Sequence, residues 1–504
     1  MAAGVRLVGN VADLLSARAK ERPGATALVD TVADTTLTWA ELDTAVNAQA
    51  RLLLDAGVSA GDPVALRLPT SAAFAVTFFA VVRAGAVAVP LSPQAPEGEW
   101  RPVLADSGAR LLVGADPGEL SEDVRVLEPV VEPDGAEPVP AAGGDEDVAA
   151  LFYTSGTTGP ARGVMLSHRA LLANVDQLRE LNPPVADQGD RVFVAIPLHH
   201  IYGLGPGLLN AVSAGATAVL AQRFDADKAL AACAAHRVTV IIGVPAMYTE
   251  LASLPADDVG ESLSTVRLLV SGAAPLHPKV LAAIRGATGL GVYEGYGLTE
   301  AAPVVTSTLV TGYAKPGSVG RPLPGVELRL VDSDGSPGPV PLDPADPADA
   351  FADDSGGTGL VAVRGDNLFS GYWPDGAYGP DAEGWFRTGD VGFIDTDGDL
   401  HLVDRANDLV IVNGFNVFPH EVEEVIGALP EVAEVAVAGV LDERTGEAVK
   451  AVVVPKPGAS LSEQQVVDAC AARLAGYKVP RTVEFAEQLP HSSTGKLRRV
   501  RLRE

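Results

Sequence analysis

Glycines and small hydroxyl residues alternate in residues 153–164, directly after the apolar residues 148–152. Glycine allows close approach to the backbone, so successive N–H groups can surround phosphate oxygens, and hydroxyl groups add further donors. We therefore expect a phosphate-binding loop in this segment. Its binding members would be Thr154, Ser155, Gly156, Thr157, Thr158 and Gly159.

Two other interpretations of this loop compete with phosphate binding. A Walker A loop needs a glycine, four residues and then Gly-Lys-Ser or Gly-Lys-Thr, and neither Gly156 nor Gly159 has that spacing. The pattern therefore excludes a P-loop nucleoside triphosphatase. A polar surface loop without a ligand is the second alternative, because clusters of Gly, Ser and Thr commonly connect elements. The rest of the chain has to decide between this alternative and a phosphate site.

A second group of chemically active residues lies at 293–300, with the sequence Tyr-Glu-Gly-Tyr-Gly-Leu-Thr-Glu. An aromatic ring can stack on a base, and a carboxylate is a common ligand of Mg²⁺ beside phosphate oxygens.

Further along, Asp390 follows a Thr-Gly pair, and an ionised carboxylate can accept from both hydroxyls of a ribose. A plain turn aspartate is the alternative at that position. Lys496 lies in a basic tail, where lysines are usually solvated.

Taken in order, these strings resemble the adenylate-forming superfamily, which includes acyl-CoA synthetases, nonribosomal peptide adenylation domains and luciferases. The resemblance runs from residue 153 to residue 499, and the N-terminal part of the chain is compatible with it. It implies that the chain binds ATP and Mg²⁺ and that residues 154–159 hold phosphate. Arg162 stands where most members have lysine, and because the positive charge is kept we expect modest consequences.

The resemblance also assigns roles around the nucleotide. It implies that Tyr296 stacks on adenine, that Glu294 lies near the adenine amino group and that Thr299 contacts the α-phosphate. Glu300 would hold the metal. Asp390 would bind the ribose, and Arg405 would lie near the ribose and phosphate. The remaining implied members of the ATP site are Gly272, Ala273, Ala274, Gly295 and Gly297.

An acyl pocket is implied beside the nucleotide. Residues 197–203 match the family string Pro-Leu-Phe-His-x-x-Gly, and His200 takes the place of its histidine. His199 replaces the usual phenylalanine, so we expect a more polar pocket edge. A satisfied core histidine is the alternative for either residue. The other implied lining residues are glycines, which admit a ligand close to the backbone, namely Gly243, Gly272 and Gly297.

The resemblance further implies a hinge followed by a mobile domain. Asn407 stands at the hinge position, where a charged residue is usual, and asparagine tolerates unusual backbone angles. Gly414 and Phe415 would line the CoA channel. Lys496 matches the family's catalytic lysine, which together with Thr299 and Glu300 would act on the α-phosphate. Its role would be to bring positive charge there as pyrophosphate leaves.

Hydrophobic periodicity predicts the elements that position these residues. Apolar runs at residues 64–68, 86–91, 238–244 and 266–270 predict buried strands, and Ser167 can cap a helix that ends at Leu178. The alternation of helices and strands predicts an α/β fold with a largely parallel sheet. Together with this pattern, the resemblance implies a large N-terminal domain of α/β layered subdomains over residues 1–405 and a small mobile α+β C-terminal domain over residues 406–504. Residues 332–357 would be a flexible insertion.

Composition sets further limits. A chain of 504 residues exceeds one ordinary core, and 65 acidic against 37 basic residues, a formal charge of -28, argue against nucleic acid or an anionic membrane as partner. The two cysteines, Cys233 and Cys470, predict buried small residues rather than a disulfide or metal site. No apolar run reaches the roughly 18 residues of a transmembrane helix. We expect a cytoplasmic protein, and a homodimer is compatible with the sequence.

The function implied by the resemblance is that of an ATP-dependent acyl-CoA synthetase. It would convert a carboxylic acid, ATP and CoA into acyl-CoA, AMP and pyrophosphate through an acyl-adenylate. The string around Glu294 resembles that of fatty acyl enzymes, so we expect a medium- or long-chain fatty acid. An enzyme that hands its acyl group to a carrier protein is the first alternative. A non-catalytic nucleotide-binding protein is the second, and the joint presence of Glu300, Asp390, Arg405 and Lys496 argues against it.

Overall fold

The structure is a computed structural model that describes residues 7–115, 123–132, 135, 137–154, 161–331, 357–405, 410–412, 415–417, 419–442, 445–490, 497 and 499–502. The chain divides into two compact units. The first comprises Met1–Glu327 and Val363–Phe386, and the second comprises Leu328–Ala362 and Arg387–Glu504. The division after residue 405 that the resemblance implies stays a prediction.

A six-stranded sheet lies in the first unit. Its strands are β3 (Pro63–Arg67), β4 (Val87–Pro90), β5 (Leu111–Gly114), β6 (Arg125–Leu127), β7 (Val148–Thr154) and β8 (Arg162–Ser167). The spatial order is β6-β5-β3-β4-β7-β8. All neighbours pair in parallel except β7 and β8, which form an antiparallel hairpin. The predicted strands at residues 64–68 and 86–91 are confirmed. Strand β6 lies within residues 114–147, whose acidic and Pro- and Gly-rich sequence predicts an irregular connection.

A nine-stranded sheet completes the first unit. Its strands are β1 (Thr26–Asp30), β2 (Thr35–Thr38), β9 (Arg191–Val194), β10 (Thr217–Leu220), β11 (Val240–Gly243), β12 (Leu268–Ser271), β13 (Val292–Gly297), β14 (Val304–Ser307) and β15 (Arg321–Pro322). The order is β15-β14-β13-β12-β11-β9-β10-β1-β2. The central pairs are parallel and the pairs at both edges are antiparallel. This arrangement confirms the expected, largely parallel α/β sheet.

Helices cover these sheets. Their bounds are α1 (Asp13–Glu21), α2 (Trp39–Asp55), α3 (Ala72–Arg83), α4 (Glu97–Ser107), α5 (His168–Arg179), α6 (Asn210–Ala214), α7 (Ala226–Ala235), α8 (Pro245–Ala252), α9 (Ala256–Ser262) and α10 (Pro278–Thr288). Shorter turns are a π-helix at Gly203–Leu209 and 3₁₀ helices at Thr299–Ala301 and Thr308–Val310. Helix α3 is buried on nearly all sides, and its Arg83 is compensated by Asp43, 2.6 Å away on α2. Because a buried charge is costly unless paired, this contact fixes α3 against α2.

The second unit contains two smaller sheets. In the four-stranded sheet the strands lie side by side in the same order as in the chain. They are β16 (Glu327–Val331), β17 (Gly359–Arg364), β18 (Phe386–Ile394) and β19 (Leu400–Arg405). The other sheet contains β20 (Val410–Val412), β21 (Phe415–Val417), β22 (Val432–Asp442), β23 (Gly446–Pro455) and β24 (Thr482–Phe485). The helices α11 (Pro419–Gly427) and α12 (Glu463–Ala471) pack on this sheet, with 3₁₀ turns at Gly476–Lys478 and Arg499–Leu502. Hydrophobic periodicity predicts a helix from Ser462 to Leu474, and α12 confirms it in a shorter form.

Several smaller expectations can be checked directly. Ser167 caps α5, its hydroxyl accepting from Ala170 N at 3.2 Å, and the helix ends one residue beyond the predicted Leu178. Cys233 and Cys470 are both buried free thiols, as expected. The insertion at residues 332–357 lies outside the described residues apart from its last residue.

His168 ties the N-terminal segment to the start of α5. Its ring Nδ1 accepts a hydrogen bond from Val11 N at 3.0 Å, and its own backbone N–H donates to Asp147 O at 3.0 Å. The side chain is 1% exposed, and burial lowers the pKa of His168 to about 4 although Asp147, Asp13 and Asp145 act in the opposite direction. An acceptor at Nδ1 requires the neutral ring. The hydrogen bond from Val11 N therefore forms only while the His168 ring is neutral.

This dependence predicts a loss of stability in mild acid. Between pH 6.5 and 4 the unfolded chain binds a proton at His168 that the folded chain does not, so stability falls as pH falls through that window. We expect His168→Gln to be less stable than the parent at pH 7.5. Its free energy of unfolding should also fall less between pH 7.5 and 4.5, by up to about 3 kcal/mol.

Urea unfolding at both pH values measures the effect. His236→Gln is the matched control and should keep the parent's dependence on pH, because His236 is partly exposed and its side chain makes no hydrogen bond within the described ranges. An identical dependence in His168→Gln and the parent would contradict the assignment of the loss to His168.

Candidate active site

The predicted phosphate loop closes a hairpin. Thr154 is the last residue of β7 and lies opposite Arg162, the first residue of β8. The intervening Ser155, Gly156, Thr157, Thr158 and Gly159 lie outside the described residues. The described part therefore gives the base of the loop, whose ends are held by an antiparallel pair and not by a strand and a helix.

Three predicted site segments meet at one edge of the larger sheet. In the parallel pairs, Gly243 of β11 lies beside Ser271 of β12, and Ser271 lies beside Glu294 of β13. Because parallel strands end at the same edge, Gly272 and Ala273 follow β12 there, and Ala273 has a left-handed φ of 71°. Ligands of open α/β sheets bind at this carboxyl edge. The structure therefore brings together the residues proposed for the acyl and adenine pockets.

Tyrosine rings occupy the space beside two of these glycines. A Cβ on Gly243 would lie 2.7 Å from Tyr248 Cε2, and a Cβ on Gly272 would lie 2.8 Å from Tyr202 Cζ. Tyr248 is fixed by its hydroxyl, which donates to Val270 O at 2.8 Å. The two positions consequently need glycine for packing against tyrosine, whether or not a ligand also approaches.

The glycines of β13 are constrained by the neighbouring strand β14. A Cβ on Gly297 would lie 2.1 Å from Pro303 O, and one on Gly295 would lie 2.9 Å from Thr306 O. Tyr296, between them, is 8% exposed. Because the backbone of residues 303–306 comes this close, glycine is needed on both sides of Tyr296.

Glu294 is a buried carboxyl group at the same edge. It is 6% exposed, and its Oε2 accepts from Leu276 N at 3.0 Å. Burial raises the pKa of Glu294 to about 7, although the hydrogen bond from Leu276 acts against the shift. The side chain therefore changes charge near neutral pH, where a carboxylic acid can donate and a carboxylate can only accept.

Thr299 and Glu300 begin a short 3₁₀ helix directly after β13. Glu300 Oε1 accepts from the hydroxyl of Tyr372 at 2.7 Å, and the backbone carbonyl of Glu300 accepts from Phe369 N at 2.9 Å. Among the described residues Oε2 has no hydrogen-bond partner. A carboxylate with one oxygen fixed and one available, next to a threonine hydroxyl, fits the oxygen ligands that Mg²⁺ prefers.

The two adjacent histidines differ in their surroundings. His200 is partly exposed, and its Nδ1 accepts from Tyr202 N at 3.2 Å. His199 Nδ1 is buried and has no partner among the described residues, and burial lowers the pKa of His199 to about 4. The hydroxyls of Tyr202 and Ser271 are likewise buried without a described partner. Three polar side-chain atoms are therefore buried close to His200 in sequence or along the sheet edge, and the more polar pocket edge expected from His199 stays a prediction.

The remaining predicted residues belong to the second unit. Asp390 in β18 is 7% exposed, its backbone N–H donates to Thr388 Oγ1 at 3.2 Å, and Arg405 lies opposite it in β19. Phe415 is the first residue of β21. Asn407, Gly414 and Lys496 lie outside the described residues, so their proposed roles stay predictions.

Sequence reasoning missed four tyrosines, at positions 202, 248, 372 and 378. Tyr202 lies within residues 197–203, which were singled out for His200, and Tyr248 follows Gly243 by little more than one helical turn. A signal was present, since tyrosine combines a large apolar ring with a hydrogen-bonding tip.

Two family models match the chain. The model of the AMP-binding enzyme covers residues 15–373, and that of the AMP-binding enzyme C-terminal domain covers residues 421–496. The chain belongs to the AMP-binding enzyme family. Because similar proteins of full length include acyl-CoA ligases, it falls in the acyl-CoA synthetase branch of that family, whose members form acyl-adenylates.

Individual relatives of this AMP-binding enzyme differ in the acid that their names give. It is 39% identical to a feruloyl-CoA synthase of Amycolatopsis sp over 95% of this chain and 96% of that protein. It is 32% identical to the long-chain-fatty-acid–CoA ligase FadD13 of Mycobacterium tuberculosis over 98% of both chains. Among solved structures, ATP-bound MatB from Rhodopseudomonas palustris matches with a TM-score of 0.86, 33% identity and coverage of 98% of both chains. In the described ranges, none of the helices has the length and apolar character needed to cross a membrane.

The raised pKa of Glu294 predicts that the stability of the fold decreases as pH rises, which is opposite to the effect of His168. The folded protein holds this proton up to about pH 7 and the unfolded chain releases it near 4.5, so the stabilisation is complete below pH 4.5 and is lost as pH rises through 7. Glu294→Gln keeps an acceptor for Leu276 N without the charge. We expect it to be more stable than the parent at pH 8.5, by up to about 3 kcal/mol, and equal at pH 4.5.

Unfolding at the two pH values tests this expectation. Glu250→Gln, which neutralises an exposed carboxylate, is the control and should leave the difference between the two pH values unchanged. A Glu294→Gln variant that is less stable than the parent at pH 8.5 would show that the ionised carboxylate is the stabilising form.

Proposed function

We propose that the chain is an AMP-forming acyl-CoA ligase that acts in two half-reactions. In the first, a carboxylate oxygen of the acid attacks the α-phosphorus of ATP, the bond to the β-phosphate oxygen breaks, and pyrophosphate leaves. Thr299 and the donors of residues 154–159 bind the phosphate oxygens, and Lys496 supplies positive charge to the transition state. Mg²⁺, held by Glu300, would neutralise charge on the phosphates.

Among the observations that support this proposal, one contact of Tyr372 is the strongest. Tyr372 joins the exit of the predicted phosphate loop to the predicted metal ligand: its backbone pairs with Val164 of β8, and its hydroxyl binds Glu300. Two strings that were assigned to phosphate and metal independently therefore lie together. A polar surface loop without a ligand gives no reason for this convergence.

In the second half-reaction the thiol of CoA attacks the acyl carbon, and AMP leaves as the thioester forms. We propose that the residues after 405 turn about Asn407 between the two steps, which withdraws Lys496 and brings Gly414 and Phe415 to the CoA channel. Asp390 and Arg405 would bind the ribose of the nucleotide. Such a movement would let one site perform two reactions in succession.

A medium- or long-chain fatty acid is the substrate that the sequence favours. The string around Glu294 resembles that of fatty acyl enzymes, and similarity to the mycobacterial fatty acid ligase extends over nearly the whole chain. An aromatic acid with an oxygen substituent is the second candidate. The buried hydroxyl of Tyr202, which has no hydrogen-bond partner among the described residues, favours it, because an oxygen of the acid can accept from this hydroxyl whereas an alkyl chain cannot.

A substrate panel separates these candidates. We expect pyrophosphate release with one class of acid, and CoA-dependent turnover of the same acid into a thioester, when fatty, unsubstituted aromatic and hydroxylated aromatic acids are compared with and without CoA. Adenylate that CoA does not discharge would favour transfer to a carrier protein. Nucleotide binding without pyrophosphate release from any acid would favour a non-catalytic nucleotide-binding protein.

Tyr202→Phe tests the second candidate. If the hydroxyl binds an oxygen of the acid, kcat/KM for a hydroxylated cinnamate should fall about 10-fold or more, while unsubstituted cinnamate and decanoate should be little affected. The unsubstituted acids serve as the control within the same variant. An equal loss with all three acids would place Tyr202 in packing and not in recognition.

Lys496→Ala tests whether Lys496 acts in the first half-reaction and not in the second. We expect adenylate formation to slow by roughly 10²- to 10³-fold, since a positive charge at the transition state is lost. Conversion of supplied acyl-adenylate and CoA into thioester should be nearly unchanged. Lys456→Ala removes an exposed lysine of the same unit as a control. Equal losses in both half-reactions would contradict the proposed role.

A further inference from the structure

Residues 370–373 pair with β8, the strand that follows the predicted phosphate loop in the chain. Ser370 N donates to Met165 O at 2.9 Å, Met165 N donates to Gly371 O at 3.1 Å, and Trp373 N donates to Gly163 O at 2.8 Å. These bonds pair residues 370–373 with β8 in antiparallel fashion. The backbone of Tyr372 is therefore held against the strand that leaves the phosphate loop.

The side chain of Tyr372 contacts two separate site residues. Its hydroxyl donates to Glu300 Oε1 at 2.7 Å, and the guanidinium carbon of Arg162 lies 5.6 Å from the centre of its ring. Phe369 supports the ring edge-on, with a centroid distance of 5.1 Å. One tyrosine therefore connects the cation at the base of the loop to the predicted metal ligand.

Tyr378 supplies a second ring to the same arginine. Its ring centre lies 5.2 Å from Arg162 Cζ, although Tyr378 is 75% exposed and has a left-handed φ of 57°. That conformation is unfavourable for a tyrosine. The turn that presents the ring is fixed by Gly376 N, which donates to Tyr372 O at 2.9 Å, and by Tyr372 N, which donates to Ala377 O at 3.1 Å.

These contacts suit arginine better than lysine at position 162. A planar guanidinium can lie on aromatic faces while its N–H groups remain in the plane for anions, whereas an ammonium has no such face. Among the described residues no carboxylate pairs with Arg162. Its charge is therefore held in place by rings and is not neutralised by an acidic partner.

We propose that Tyr372 is a positioning residue for the adenylation step, an inference that rests on the proposed function. Its hydroxyl orients the Glu300 carboxylate toward the metal that accompanies ATP, and its ring, together with that of Tyr378, orients the Arg162 guanidinium toward phosphate oxygens. The metal ligand and the loop cation consequently approach the triphosphate as one unit.

Tyr372→Phe tests the hydroxyl alone, since it keeps the ring. Calorimetric titration with ATP, without any acid, should show about 5- to 10-fold weaker binding in the presence of Mg²⁺ and unchanged binding in EDTA. The Mg²⁺ concentration for half-maximal pyrophosphate exchange should rise by a similar factor. Tyr313 is an exposed tyrosine of the same unit whose hydroxyl has no hydrogen-bond partner among the described residues, so Tyr313→Phe should match the parent in both measurements.

A merely structural tyrosine would behave differently. In that case Tyr372→Phe would lower the melting temperature and weaken ATP binding equally with Mg²⁺ and with EDTA, which would overturn the proposal. Unchanged binding in Mg²⁺ would overturn it as well. The calorimetric result does not depend on an acid, so a parent enzyme that binds Mg-ATP but adenylates nothing would refute the proposed function and not this inference.

A double-mutant cycle tests the two rings. We expect Arg162→Lys and Tyr378→Leu each to raise the KM for ATP about 3- to 10-fold with a smaller change in kcat. The double variant should be no worse than Arg162→Lys, because Tyr378 acts only through the guanidinium. Additive losses, or an Arg162→Lys enzyme far faster than the parent, would contradict the role assigned to the rings.

Discussion

The parallel pairing of β11, β12 and β13 is the constraint on which the candidate site depends. It places Gly243, Ser271 and Glu294 side by side at the carboxyl edge of one sheet. Each strand brings its following turn to the same edge, so residues from three separate strings can line one pocket. A change of register in any of the three strands would move its turn away from the others, since side chains alternate faces along a strand.

Close packing then limits what can stand at that edge. The tyrosine rings beside Gly243 and Gly272 leave no room for a Cβ, and the backbone of β14 leaves none at Gly297. Substitution at these glycines would displace rings or backbone before it touched a ligand. The ring of Tyr202 meets this packing requirement beside Gly272, and the same side chain carries a buried hydroxyl that has no partner in the described part of the chain.

Much of this organisation could be predicted from the sequence, because it depends on local patterns. Strands over short apolar runs and the cap at Ser167 both follow from neighbouring residues. Tyr372 and Glu300 lie 72 positions apart, and the sequence around neither residue predicts the hydrogen bond between them. The raised pKa of Glu294 depends on burial by distant elements and was equally out of reach. Predicted residues 155–159, 407, 414 and 496 lie outside the described residues.

The way Arg162 is held bears on how an acidic protein can bind a polyanion. The chain has a formal charge of -28, but salt screens charges beyond a Debye length of about 8 Å, so local groups dominate at contact distance. An arginine could be fixed by a carboxylate, yet that partner would cancel the charge that a phosphate needs. The faces of Tyr372 and Tyr378 attract the guanidinium through their ring quadrupoles without adding a net negative charge. Aromatic support therefore fixes the position of the cation and leaves its charge for the ligand.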